Sequence, residues 1–151
     1  MKIYTSYFAN LKNLEEAGIY CVSICNKVPG FFNGPNIESV APNNSILWQY
    51  KKSGQTDEDR EIYKKRYIEE VLCAYRFHPE YFTDLLKSFS KSEGGKDIAL
   101  LCYEKPGYFC HRHILADWLN SRLDCHIEEF PVYPKKKEKK PDITFEINTL
   151  F

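Results

Sequence analysis

Four consecutive apolar residues, Ile98-Ala99-Leu100-Leu101, run toward Lys105-Pro106-Gly107, and a second apolar series follows at Ile114, Leu115, Trp118, Leu119 and Leu123. The first run is too short for a helix and reads as a buried strand. Lys-Pro-Gly stops any regular element, because proline lacks the amide donor and glycine opens the backbone to turn conformations. The second series is one face of an amphipathic helix that begins near His111. A buried strand, a short loop and a covering helix form the repeating unit of an α/β sheet, and ligands favour the end of the sheet where such strands stop. Cys102, Glu104, Cys110, His111 and Arg112 all fall in that loop or in the first helical turn.

The placement breaks a local rule. A helix N-terminus carries free amide groups and the positive end of the dipole, so Arg112 and the flanking His111 and His113 are disfavoured there by about 0.3–1 kcal/mol each unless a negative group offsets them. Either an anion sits in the loop, or Arg112 pairs with a carboxylate such as Glu104 or Asp117. Broken local rules collect at functional sites, which favours the first alternative.

Alternation of strands and helices continues on both sides. Residues 2–8 and 19–24 read as strands joined by a short helix over 11–17. Residues 27–50 hold Pro29-Gly30, Asn33-Gly34-Pro35 and Pro42-Asn43-Asn44 with no sustained period, which predicts a long loop. Its aromatics Phe31, Phe32, Trp48 and Tyr50 either wall a pocket or pack on the core. Thr56 caps a helix that opens with Asp57-Glu58-Asp59 and buries Tyr63, Tyr67, Ile68, Val71, Leu72 and Tyr75. Pro79 opens another, burying Tyr81, Phe82, Leu85, Leu86 and Phe89 before Gly94-Gly95, and His78 beside it reads as structural. Residues 126–132 complete the pattern as a last strand. The expectation is an α/β domain over residues 1–134 with a mostly parallel sheet and helices on its faces. A basic connector, Lys135 to Lys140, follows. The alternating residues 142–151 then form a strand-like tail, either an edge strand or one donated to a second copy of the chain.

Leu101-Cys-Tyr-Glu-Lys-Pro and Phe109-Cys-His-Arg-His, with Thr5-Ser6-Tyr7-Phe8 near the start and Pro42, Trp48 and Tyr50-Lys51 between them, resemble the bacterial and phage family named domain of unknown function 488. The resemblance covers residues 2 to about 130. It implies a compact, Rossmann-like three-layer domain whose family positions fall on Cys102, Glu104, Cys110, His111 and Arg112. It implies no activity.

Composition narrows the functional classes. A formal net charge of zero argues against a face for duplex phosphates, so nucleic acid is not an expected partner. No apolar run approaches the ~20 residues that span a bilayer, and the first residues lack a signal-peptide pattern, so the expected location is the cytoplasm. Six cysteines in that compartment are expected to be reduced. Cys21, Cys25 and Cys73 are expected as small core residues.

For the loop the leading expectation is a pocket for a small phosphate-bearing, nucleotide-like molecule. Arg112, the helix amides and Lys51 would hold the anion. Glu104 would orient Arg112 or accept a ligand hydroxyl, and the Thr5 and Ser6 hydroxyls would touch the polar part. The alternative is an enzyme in which Cys102 or Cys110 is the nucleophile and His111 the base, acting on a nucleotide or nucleic-acid-derived substrate. A further alternative is a module that only sequesters a ligand or protein. Phosphatase chemistry of the cysteine-arginine type is excluded, since Tyr108 stands six positions after Cys102 where arginine is needed. No cofactor is expected. Zinc could draw on Cys102, Cys110, His111 or His113, but the C-x-x-C or H-x-x-x-H pair that usually carries it is missing. Neither a phosphate-loop motif nor a dinucleotide fingerprint is present.

Overall fold

The computed structural model describes residues 1–131. Its centre is a sheet of four parallel strands, β1 (Ile3–Tyr7), β2 (Tyr20–Ser23), β3 (Ile98–Cys102) and β4 (Glu128–Glu129), in the order β2-β3-β1-β4. β3 lies between β1 and β2 and is buried along its whole length, as a strand covered on both faces must be. Register places Tyr7 opposite Cys102 and Ser23 opposite Leu101, so three strands stop at one edge.

Alternate residues of β3 serve two separate cores. Ile98 and Leu100, with Ile3 and Val22, pack against α3 (Asp57–Glu70), α4 (Glu80–Ser92) and α5 (His111–Arg122). Ala99 and Leu101, with Cys21, pack against Phe8, Phe32 and Leu14 of α1 (Leu11–Glu16). The result is three layers, helices on both faces of a parallel sheet, in agreement with the sequence reading. α3 begins as expected: the Thr56 hydroxyl accepts from the Asp59 amide and the Asp59 carboxylate accepts from the Thr56 amide, a reciprocal capping box.

Several local expectations need correction. The stretch 27–50 is not one loop, because Asn44–Lys52 forms a helix, α2, after a single 3-10 turn at Glu38–Val40. Asn43 starts α2 by accepting the Ile46 amide at 2.9 Å, and Ile46 anchors it in the core. α3 ends at Glu70, and Leu72–Tyr75 continues as a 3-10 turn. Tyr81 and Leu85 of α4 are exposed, because the buried stripe runs through Phe82 and Leu86 instead; Tyr81 stacks on the His78 ring. Cys73 is exposed and not a core residue, whereas Cys21 and Cys25 are buried. β4 pairs over two residues only, through Tyr4 with Glu128 and Thr5 with Glu129. The basic connector and the strand-like tail lie outside the described residues. Among the described residues no helix is long and apolar enough to cross a membrane.

Candidate functional site

Cys102 ends β3, and Cys110 immediately precedes α5, with extended backbone angles of −154° and 144°. The loop between them turns at Gly107, whose φ of 91° suits a residue without a side chain. It returns the chain so that Cys102 and Cys110 are joined by a disulfide. This corrects the expectation that all six cysteines are reduced; Cys21, Cys25, Cys73 and Cys125 are free. The separation of eight residues hides the pairing from motif searches built on C-x-x-C.

His111 is buried, and its Nε2 lies 2.7 Å from the Ile24 carbonyl oxygen. A carbonyl only accepts, so Nε2 carries the proton and Nδ1 keeps a lone pair, which faces Cys110 Sγ at 3.9 Å. Burial, helped by the charges of Arg112 and His113 and opposed by the Ile24 carbonyl, pulls the imidazole down to about 4. Near neutral pH it is uncharged. A general base works best near the operating pH, so this histidine is tuned away from taking a thiol proton and toward offering a lone pair.

Arg112 is fully buried, and its donors are engaged. Nε and Nη2 donate to the two Glu129 oxygens at 3.1 and 2.9 Å, and Nη1 donates to the Glu104 carbonyl at 2.6 Å and lies 3.0 Å from Cys102 Sγ. Glu129 also accepts from the Thr5 hydroxyl at 2.6 Å and contacts His113 Nε2 at 3.0 Å. Burial pushes the Glu129 carboxyl up, but the hydrogen bonds from His113, Arg112 and Thr5 outweigh it and hold the group at about 2. The basic residues at the start of α5 are therefore offset by a carboxylate of this chain, Glu129, and not by Glu104 or Asp117. Ser6 is equally occupied, accepting from Asn10 Nδ2 at 3.2 Å. Arg112, Thr5 and His113 meet on Glu129 in one polar network beside the disulfide, while Ser6 pairs separately with Asn10.

In front of it, at the strand ends, lies a cavity of about 880 Å³. Cys102, Cys110 and His111 line it, with Glu104, Lys51 and Lys27. Sequence reasoning missed Lys27, which follows β2; the Tyr103 hydroxyl holds it in place by donating to its carbonyl oxygen at 2.6 Å. One wall is aromatic. Tyr50, Tyr63 and Phe109 have ring centroids 4.9–5.6 Å apart, and Arg60 clamps the group by donating to the Tyr50 hydroxyl and lying over the Phe109 ring. Of the four aromatics expected either to wall a pocket or to pack on the core, Tyr50 takes the first role and Phe32 the second. Phe32 is buried against Phe8, Phe31 is exposed, and Trp48 is exposed with Lys52 over its ring.

A family model described as "Active DUF488-N3 subclade", DUF488-N3a, matches residues 35–123, which take in the loop and most of the cavity lining. The chain belongs to the DUF488 family. In this DUF488 protein the matched span begins before α2 and ends after α5, so it contains the aromatic wall, Lys51, both bridged cysteines, His111 and Arg112, but neither Lys27 nor Glu129. No curated protein and no solved structure matches this DUF488 chain.

Proposed function

We propose that the cavity at the strand ends binds a small phosphate-bearing, nucleotide-like molecule, with Lys27 and Lys51 as the cations for its phosphate. The observation that carries this reading is the joint lining of one cavity by two lysines, two carboxylates and a fixed aromatic wall. Each matches one part of such a ligand. The Tyr50 and Phe109 rings offer a surface for a flat base. Glu38 and Glu104 offer acceptors for sugar hydroxyls. The lysines supply the positive charge that Arg112, bound to Glu129, does not. A volume of about 880 Å³ lies within the ~300–1,000 Å³ of ordinary small-molecule sites.

Titration calorimetry with ADP, UMP and inorganic pyrophosphate tests the proposal. The nucleotides are expected to bind one to a chain, and Lys27→Ala or Lys51→Ala to weaken each by about tenfold or more, the worth of one charge-assisted hydrogen bond. Thermal unfolding should not change in either variant, because both lysines stand at the cavity and outside the core. Absence of saturable binding by all three probes, or equal binding by both variants, overturns the proposal.

A further inference from the structure

Cys102, Cys110 and His111 each present one ligand atom, and the three atoms lie within 4.8 Å of one another at the floor of the cavity. We infer that the reduced chain binds a zinc ion through Cys102 Sγ, Cys110 Sγ and His111 Nδ1, with the fourth position open to the cavity. Tetrahedral zinc with Zn–S of about 2.3 Å and Zn–N of about 2.0–2.1 Å requires ligand atoms about 3.5–3.8 Å apart. His111 Nδ1 and Cys110 Sγ are already 3.9 Å apart.

The surroundings fit a metal centre in three further respects. Nε2 of His111 is anchored on the Ile24 carbonyl, the usual outer contact that aims the other ring nitrogen of a ligating histidine. Arg112 Nη1 stands 3.0 Å from Cys102 Sγ, where it would stabilise a thiolate. The cavity meets the cluster on its remaining side, which gives the three-ligand arrangement of zinc sites that keep a position for water or substrate. Two sulfurs and one imidazole suit zinc, whereas magnesium and calcium want oxygen. The Cys102–Cys110 disulfide is then the metal-free, oxidised form of the same site. A phosphine reductant opens it, taking an oxygen atom from water as phosphine oxide and leaving two thiols. Zinc then displaces the two thiol protons into solvent while Nδ1 contributes its lone pair. This inference does not depend on the nucleotide reading.

The test uses the full chain, reduced with a phosphine and loaded with zinc alone, then dialysed against a chromogenic chelator. One zinc per chain is expected to be retained, none by the oxidised chain, and one by the Cys73→Ser control. Cys102→Ser, Cys110→Ser and His111→Ala should each lose at least tenfold in affinity. Cobalt added to the reduced wild-type chain should give an intense thiolate-to-metal band, a readout that does not depend on whether the variants fold. Failure to retain zinc, full retention by the Cys102→Ser/Cys110→Ser variant, or a cobalt spectrum without the thiolate band overturns the inference. ADP titration alongside separates the two proposals: zinc retained without ADP binding defeats only the nucleotide reading, and ADP binding without zinc defeats only this one.

Discussion

Replacing Glu129 by alanine should destabilise the protein more than any change at the surface, because it strands a buried charge. Arg112 has no exposure to water, and the Glu129 carboxylate is its only negative partner within hydrogen-bond distance among the described residues. Removing one partner of a buried pair costs about 3–5 kcal/mol. A second route gives a similar size. Holding the carboxyl at about 2 instead of 4.5 corresponds to about 3 kcal/mol at ~1.4 kcal/mol per pH unit. With 24% of the Glu129 side chain exposed, solvent screening trims this to about 2 kcal/mol. At ~2–4 °C per kcal/mol for a chain of this length, a loss of about 2–3 kcal/mol should lower the melting temperature by about 4–12 °C. Because the folded-state carboxyl is depressed, its contribution is complete above its ordinary value of 4.5 and is lost as pH falls toward about 2. Circular-dichroism melts of wild type and Glu129→Ala should therefore differ most near neutral pH and draw together as pH falls from about 4.5 toward about 2. Two melts within about 2 °C of each other near neutral pH, a shift of under ~1 kcal/mol, would refute the reasoning, as would a gap that does not change with pH.

Two further outcomes can be checked independently. Gly34→Ala places a methyl group 2.6 Å from the Phe32 ring and 2.8 Å from the Cys21 carbonyl oxygen, so the backbone of β2 must yield; chemical denaturation should register a loss of about 1–3 kcal/mol, and a neutral result would mean that the turn relaxes freely. Alkylation of the reduced chain near neutral pH, followed by peptide mass spectrometry, should modify exposed Cys73 well ahead of Cys21 and Cys25, whose thiols burial pushes up to about 12 and about 11. Equal rates at the three positions would contradict that order.

Much of the site's location is legible in the sequence, because the features that mark it are local. The apolar run of β3, the Lys-Pro-Gly stop and the helical period of α5 act over a few residues, and they place Cys102, Cys110 and His111 at a strand end whatever else the chain does. Thr56 and Asp59 announce the start of α3 for the same reason. α2 escaped because its nine residues follow turn-forming Pro42-Asn43-Asn44, and because one buried anchor, Ile46, leaves no period to read.

Tertiary structure alone decided the partnerships. The chemistry at the head of α5 signals that Arg112 needs a negative group, but an anion, Glu104, Asp117 and Glu129 satisfy that need equally on paper. Pairing β4 with β1 brings Glu129 beside Thr5 and so selects it, turning an expected ligand-binding arginine into a buried support. Lys27 reaches the cavity because β2 and β3 end together, and the aromatic wall forms because α2, α3 and the loop before α5 converge there. Helix caps and strand runs are settled by forces between near neighbours in the chain. Ion pairs, the Cys102–Cys110 bond and the cavity depend on which distant segments the sheet order sets side by side, and no local pattern encodes that order.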